Sequence, residues 1–413
     1  MTRGICRVSP ETEIVNVPLA DGGEGTVEAF VAAVGGDVKT TTVHDALGRK
    51  VRANWARLPD GTAVIEMAQA SGLPLIAPPE RDALRASSFG TGELIRRALD
   101  DGCRKLLVGV GGSATSDGGS GALQALGARF LDGKGDELLA GGAALRDLAR
   151  IDLSNFDRRV LDCDIRVLCD VANPLCGERG AARVYAPQKG ASPPQVELLD
   201  AALSHFANVC ALTSSTRSCA KRDSAKRDSA KRDSAKRDRD LRDHDLRDHD
   251  LRDHDLRDVA GSGAAGGTAF GLMRFCNARL VSGIDTVLEI ARFAEKLEKA
   301  DLVLTGEGSI DEQTPQGKAL AGVARLAKNA KNGVGVPIIA FGGRVALGGA
   351  ELQAMGIASA FALADGPRTL EYSMSHTGEL LENAVERALR LWLCARHFAS
   401  DVEIPTPSLP TKS

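Results

Sequence analysis

The feature that most constrains the fold is a buried strand leading directly into a glycine-rich loop, within residues 105–121 (K-L-L-V-G-V-G-G-S-A-T-S-D-G-G-S-G). Residues 106–110 are apolar apart from one glycine, which is typical of a central strand in a parallel sheet. Glycine then recurs at Gly111, Gly112, Gly118, Gly119 and Gly121, where it lets the backbone turn tightly and approach a ligand. Apolar residues at helical spacing follow. A strand, a glycine loop and a helix in this order present backbone N–H groups to an anion, with plain turn chemistry as the alternative.

Further strand-like segments are spread along the chain. They are residues 63–67, 164–170, 301–305, 337–341 and 357–363. Helical patterns lie between them, and strands alternating with helices indicate an α/β protein with mainly parallel sheets. In such sheets ligands bind at the carboxyl ends of the strands, where the glycine-rich and acidic loops of this chain are expected.

Bulk properties narrow the class of protein. A chain of 413 residues favours two domains, and a net charge of -3 gives no reason to expect nucleic acid as a partner. No apolar run approaches the ~20 residues of a membrane helix, so no membrane association is expected. The nine cysteines form no C-x-x-C pair, which favours a reduced, cytoplasmic location. The oligomeric state stays open, with a homodimer as one candidate.

Residues 218–258 form a low-complexity repeat with a five-residue period, S-A-K-R-D and then L-R-D-H-D. Leucines five apart are rotated by ~140° on a helix, so they form no apolar stripe. We therefore expect a charged insertion in a surface loop that packs no core. A role as a tether for another protein is the alternative, and metal binding by its histidines is less favoured than solvation.

Five segments share an unusual richness in Gly, Asp, Glu, Ser and Thr. They are residues 18–26, 111–119, 169–175, 261–267 and 305–314. This composition suits phosphoryl transfer, which needs amides and cations around phosphate oxygens and carboxylates to hold Mg²⁺. Neither a Walker A sequence nor the protein-kinase motif set is present, so the chain belongs to neither of those common classes.

Asp170, Glu307 and Asp311 can supply carboxylates for this chemistry, and Lys318 can supply positive charge. The glycine loop adds Ser113 as a hydroxyl donor, beside Thr115.

Several acidic and polar residues also have plain structural interpretations. Asp21 and Glu24 suit the first turn of a helix that starts near Gly25. Asp117 suits an Asx turn, and Asn173 before a proline suits an ordinary turn. Asp311 can cap a helix or brace its loop.

Three of these motifs, P-L-A-D-G-G-E-G-T, G-G-S-A-T-S-D-G-G and G-E-G-S-I-D-E-Q-T, occur in an order that resembles the bacterial-type glycerate kinase family (glycerate 2-kinase, type 1). The resemblance covers nearly the whole chain apart from the repeat and both ends. It implies an enzyme that phosphorylates D-glycerate with ATP and Mg²⁺, with 2-phosphoglycerate as the favoured product. The residues shared with the family fall on Asp21, Glu24, Ser113, Thr115, Asp117, Asp170, Asn173, Glu307, Asp311, Gln313, Thr314 and Lys318.

On this basis we expect Asp170 as base or metal ligand, oriented by Asn173, and Lys318 as the group that stabilises the transferred phosphoryl group. Glu307 and Asp311 are expected to hold Mg²⁺. The remaining shared residues, together with Gly111 and Gly112, are expected to bind substrate or phosphate. They are Asp21, Glu24, Ser113, Thr115, Asp117, Gln313 and Thr314.

The resemblance also implies a discontinuous architecture. Residues 1–67 and 285–400 are expected to form a Rossmann-like domain, residues 68–284 an inserted α/β domain, and residues 401–413 a flexible tail. The family's first strand and its D-S-F-K-type loop have no counterpart in this sequence. An N-terminally truncated, inactive relative that still binds nucleotide is therefore the alternative, with an exposed apolar sheet edge as its expected consequence.

Overall fold

The computed structural model describes residues 1–20, 22–225, 255–312, 314 and 319–401. The chain divides into two compact units. The smaller unit combines Met1–Val17 with Arg292–Ser413, and the larger is Pro18–Ala291. No helix among the described residues is long and apolar enough to cross a membrane.

The strands of the described residues are β1 (Asp37–His44), β2 (Lys50–Arg57), β3 (Thr62–Glu66), β4 (Lys105–Gly109), β5 (Arg129–Leu131), β6 (Arg150–Asp152), β7 (Asp164–Leu168), β8 (Arg279–Val281), β9 (Val303–Ile310), β10 (Ile338–Val345) and β11 (Ser359–Ala362). The α-helices are α1 (Thr2–Val8), α2 (Thr26–Val34), α3 (Ala68–Ser71), α4 (Phe89–Asp100), α5 (Ser120–Ala125), α6 (Ala181–Tyr185), α7 (Pro193–Ala225), α8 (Ala264–Cys276), α9 (Gly283–Ile290), α10 (Phe293–Leu297), α11 (Ala319–Asn329), α12 (Gly349–Met355), α13 (Leu370–Ser375) and α14 (Thr377–Asp401). Short 3₁₀ helices cover Leu73–Leu75, Pro78–Glu80, Gly142–Asp147, Arg158–Asp162, Pro187–Lys189, Leu256–Asp258 and Lys331–Gly333.

The larger unit is built on a six-stranded sheet in the order β1-β2-β3-β4-β7-β8. Strands β3, β4, β7 and β8 run parallel, and β1 and β2 extend the sheet antiparallel. Alternate residues of β4 face opposite sides, as a strand requires. Leu106 packs in the core with Leu94 of α4, whereas Leu107 packs with Phe30 of α2 and Val287 of α9. Helices on both faces of a largely parallel sheet confirm the predicted α/β class.

The smaller unit has a three-stranded parallel sheet in the order β11-β10-β9. Helix α14 lies over it, with Val385 packed in one core with Phe341 of β10. Helix α1 packs against α14, where Arg3 and Arg7 both pair with Glu382.

The boundaries of the compact units differ from the predicted domain boundaries at 67/68 and 284/285. Strands β1–β3 lie in the larger unit because β3 hydrogen-bonds to β4 along its length, from Thr62 opposite Lys105 to Glu66 opposite Gly109. Strands β1–β3 therefore share one sheet with the chain that follows them, and residues 18–67 pack in the cores on both faces of that sheet.

Two local expectations are wrong. The G-E-G segment after Thr305 is not yet a loop, because β9 continues to Ile310 and pairs Glu307 with Gly342 of β10. The repeat also does not lie wholly outside the core. Its first residues continue α7 to Ala225, and Leu256 near its end is only 4% exposed within the main core. Residues 226–254 of the repeat lie outside the described residues.

Candidate functional site

In the larger unit, the loop at residues 111–119 follows the carboxyl end of β4 and lies against residues 18–26. The N–H of Gly111 donates to the carbonyl of Gly22 at 2.9 Å. A Cβ atom at Gly111 would stand 2.6 Å from Cα of Gly23, so only glycine allows this approach. The two predicted motifs therefore form one backbone-to-backbone contact, at the edge of the sheet where ligands of α/β proteins gather.

The outer part of the 111–119 loop is also tied to the segment after α3. Leu73 N–H donates to Gly112 O at 2.8 Å, and Ala114 N–H donates to Ser71 O at 2.9 Å. The N–H groups of Gly112 and Ser113 donate to no acceptor within the described part of the chain. Gly112 is exposed, and these two consecutive amides remain available to an anionic oxygen.

Asp117, in the inner part of the loop, is fully buried. Its Oδ2 accepts hydrogen bonds from the N–H and the hydroxyl of Ser88, both at 2.8 Å, and from Gly121 N–H at 3.2 Å. Its Oδ1 accepts from Gly119 N–H at 3.1 Å, which is the geometry of an Asx turn. Burial raises the pKa of this carboxyl. We therefore assign Asp117 to bracing the loop, in place of the direct substrate contact that was expected.

Thr115 is also fully buried, under the glycine-rich segment at residues 261–267. Gly266 has φ +63°, and a Cβ atom there would lie 2.0 Å from Thr115 O. Gly118 N–H donates to Gly266 O at 2.9 Å. The hydroxyl of Thr115 is buried and has no hydrogen-bond partner in the described part of the chain, so its donation to a ligand stays a prediction.

Lys189 is a residue of this region that the sequence did not single out. It is 2% exposed, and its Nζ donates to Ser113 Oγ at 3.0 Å and to Thr115 O at 2.6 Å. Burial lowers the pKa of its ammonium group to about 7, against the opposing effect of Asp117. A lysine in A-P-Q-K-G carries no local signal of burial, since only the folded chain brings it under the 111–119 loop.

Asp170 and Asn173 follow β7 but do not contact each other through a hydrogen bond. Asp170 Oδ1 accepts from the N–H of Gly283 at the start of α9, at 3.0 Å. The Asn173 side chain donates to Arg179 O at 2.8 Å and accepts from the Tyr185 hydroxyl at 2.7 Å. The expectation that Asn173 orients Asp170 is therefore replaced by orientation from Gly283.

The N-terminus of α2 follows the 18–26 segment and is capped by a residue that the sequence did not single out. Glu66, fully buried at the end of β3, accepts a hydrogen bond from the N–H of Val27. Burial raises the pKa of this carboxyl. Glu24 is exposed in the turn before the helix, so it stays a candidate ligand. An acidic residue ending an otherwise apolar strand, A-V-I-E-M, was the available signal for Glu66.

In the smaller unit, Glu307 and Asp311 belong to one hydrogen-bond network. The Thr314 hydroxyl donates to Glu307 Oε1 and accepts from Asp311 N–H at 3.0 Å. Ser309 Oγ donates to Asp311 Oδ2 at 2.8 Å. Thr314 is fully buried, and its hydroxyl links the Glu307 carboxylate to the backbone of Asp311. Asp21, Gln313 and Lys318 lie outside the described residues.

The carboxylate oxygens of this network are ligands that suit Mg²⁺. Mg²⁺ is commonly held by one or two carboxylates together with phosphate oxygens and water. Glu307 and Asp311 offer that number of carboxylates on one strand and the turn after it. Among the described residues, no group of three or more His, Cys, Asp or Glu side chains forms a protein-only metal site.

Comparisons with known proteins show sequence similarity over nearly the full chain. A family model described as "Glycerate kinase family" matches residues 1–393. The chain is 40% identical over 383 residues to the glycerate kinase of Bacillus subtilis, covering 92% of this chain and 89% of that protein. It is 43% identical over 329 residues to the glycerate 2-kinase of Escherichia coli, covering 79% of this chain and 76% of that protein.

A crystal structure assigned to glycerate kinase 2 of Salmonella typhimurium LT2 is also similar, with a TM-score of 0.74 and 38% identity. It covers 96% of this chain and 93% of the solved chain. These matches give no support to the alternative of a truncated, inactive relative.

Proposed function

The chain belongs to the glycerate kinase family, and we propose that it transfers the γ-phosphoryl group of ATP to a hydroxyl of D-glycerate. One observation of the structure carries this proposal. In the larger unit, the 18–26 and 111–119 segments and Asp170 all follow or adjoin the carboxyl ends of parallel strands β4 and β7. That edge of an α/β sheet is where ligands bind.

The 111–119 loop is proposed to bind an anionic group of the substrates. The amides of Gly112 and Ser113 have no protein acceptor in the described residues, and Ser113, which is 8% exposed, adds a hydroxyl beside them. Fixed donors of this kind stabilise negative charge without reorganising during the reaction. The inner loop residues, held by Asp117, keep these donors in place.

Asp170 is proposed to accept the proton of the reacting hydroxyl. The glycerate oxygen forms a bond to the γ-phosphorus as the bond from that phosphorus to the β,γ-bridging oxygen breaks, and ADP leaves. The hydroxyl proton passes to the Asp170 carboxylate, whose Oδ1 is fixed by Gly283. Attack by the 2-hydroxyl gives 2-phosphoglycerate, which we propose as the product.

Glu307 and Asp311 would hold Mg²⁺, which when bound neutralises charge on the phosphate oxygens. Thr314 and Ser309 orient these two carboxylates. Asp21, Glu24, Gln313 and Lys318 remain proposed ligands of substrate or phosphate. A cytoplasmic location and a homodimer remain predictions from the sequence.

The test is ADP release from ATP and Mg²⁺ with D-glycerate, with L-glycerate and no glycerate as controls. We expect turnover that requires D-glycerate and Mg²⁺. Phosphorus NMR identifies the product, because a 2-phosphate couples to one carbon-bound proton and a 3-phosphate couples to two. Absence of D-glycerate-dependent ADP release would overturn the proposed function.

A further inference from the structure

Lys189 lies directly beneath the tip of the 111–119 loop. Its Nζ reaches Ser113 Oγ at 3.0 Å and Thr115 O at 2.6 Å from a side chain that is 2% exposed. We propose that Lys189 is a positioning residue that holds this loop in its anion-binding form and supplies the positive charge beneath the bound anion. This role rests on the proposed function, which places an anionic group of a substrate at this loop.

The direction of the Lys189–Ser113 hydrogen bond matters for binding. An ammonium group only donates, so Ser113 Oγ acts as the acceptor and its own hydroxyl hydrogen is left to donate elsewhere. The N–H groups of Gly112 and Ser113 also have no acceptor among the described residues, so the loop offers three hydrogen-bond donors together. Three donors and one cation then suit an anionic oxygen group, the carboxylate of glycerate or a phosphate of ATP.

The charge of Lys189 is poorly compensated within the protein. Asp117 faces it from the inner part of the loop and raises its pKa, but Asp117 is itself buried, with a raised pKa. The Arg81 guanidinium donates to the carbonyl of Gln188, next to Lys189 in the chain, and adds positive charge to the region. Burial dominates, and the pKa of Lys189 lies at about 7.

A bound anion would compensate this charge and raise the pKa of Lys189. By linkage, protonation of Lys189 strengthens anion binding to the same extent. Affinity should therefore be greatest below pH 7 and fall as the pH rises above it. The carboxylate of glycerate stays ionised throughout this range, so its own titration does not mimic the effect.

The experiment measures dissociation constants by isothermal titration calorimetry between pH 6.5 and pH 8.5. D-glycerate and ATP are titrated separately into the full chain, into K189M and into K105M. Lys105 is the matched control, because it lies in the same unit with a side chain that is 61% exposed. For the wild type and K105M we expect one of the two ligands to bind more weakly by up to about tenfold per pH unit above pH 7.

In K189M we expect the same ligand to bind at least about tenfold more weakly at pH 6.5 and to lose its pH dependence. The ligand affected identifies the anion, the carboxylate of glycerate or a phosphate of ATP. Binding of both ligands that is independent of pH in the wild type, or unchanged in K189M, would overturn the inference. Failure of both to bind the wild type would overturn it as well.

A second variant covers the case in which K189M does not fold. S113A retains Lys189 and removes one donor, so we expect weaker binding of the same ligand with the wild-type pH dependence retained. Wild-type affinity in S113A would contradict the proposed arrangement. Because calorimetry needs no turnover, pH-dependent binding without ADP release would refute the proposed reaction alone, and ADP release with pH-independent binding would refute Lys189 alone.

Discussion

Asp117 Oδ2 accepts both the backbone N–H and the hydroxyl of Ser88, each at 2.8 Å, across 29 positions of sequence. Ser88 Oγ in turn accepts the N–H of Ala122 in α5, at 2.9 Å. The loop after β4, the start of α4 and the start of α5 are thereby joined through one buried carboxyl group. The conformation of the candidate binding loop therefore depends on this buried carboxyl group as well as on its glycines.

We expect D117A to lower the free energy of unfolding by about 3 kcal/mol or more, because it leaves several buried donors without an acceptor. Denaturant unfolding followed by circular dichroism measures this change. D132A is the control, since Asp132 accepts two amides in an exposed turn and its loss should have a much smaller effect. An equal decrease in the free energy of unfolding of the two variants would show that the hydrogen bonds of Asp117 contribute no more than those of an exposed turn.

The sequence predicted the fold well where a run of apolar residues corresponds to a buried strand. The predicted strand at residues 106–110 corresponds to central strand β4 (Lys105–Gly109), one residue earlier, and the alternation of strands and helices gave the α/β class. It misjudged the end of β9, because glycine is usually unfavourable in a strand, whereas here Gly306 and Glu307 pair with Phe341 and Gly342 of β10.

The candidate site was harder to predict than the fold, because its parts are joined by contacts between distant segments. Motif composition identified the 111–119 loop, but which of its hydroxyls and carboxylates face solvent depends on tertiary packing. Lys189 reaches Thr115 across 74 positions of sequence, and no local pattern marks a lysine for burial. For the same reason, the sequence could not show that the carboxyl group of Asp117 is fully buried and accepts hydrogen bonds within the loop.

The D170N variant separates proton acceptance from helix capping. Its amide oxygen can still accept the N–H of Gly283, so we expect the fold and the affinity for D-glycerate to be nearly unchanged. An amide cannot take up the hydroxyl proton, and kcat should fall by about a hundredfold or more. The measurement is steady-state ADP release with D-glycerate, next to thermal unfolding of the same variant. Near-normal kcat would remove Asp170 as the base.

The T314V variant tests the link between Glu307 and Asp311. Valine nearly preserves volume but lacks the hydroxyl that donates to Glu307 and accepts from Asp311. We expect the Mg²⁺ concentration for half-maximal ADP release to rise by about tenfold, as for loss of other groups that orient metal ligands. T377V, at an exposed position on α14, should leave the Mg²⁺ dependence unchanged. An unaltered requirement in T314V would argue against Mg²⁺ at this network.

Leu256 shows that the end of the charged repeat is part of the fold. Its side chain is 4% exposed in the main core, and the neighbouring Arg257 carbonyl accepts the N–H of Leu175 at 2.8 Å. We therefore expect L256A to lower the free energy of unfolding by about 2–4 kcal/mol, because it leaves a cavity among packed side chains. L139A is the matched control, since Leu139 is 85% exposed, and chemical denaturation compares the two. If L256A were as stable as L139A, the repeat would be an insertion without a structural anchor, and its deletion through residue 258 should then leave the fold intact.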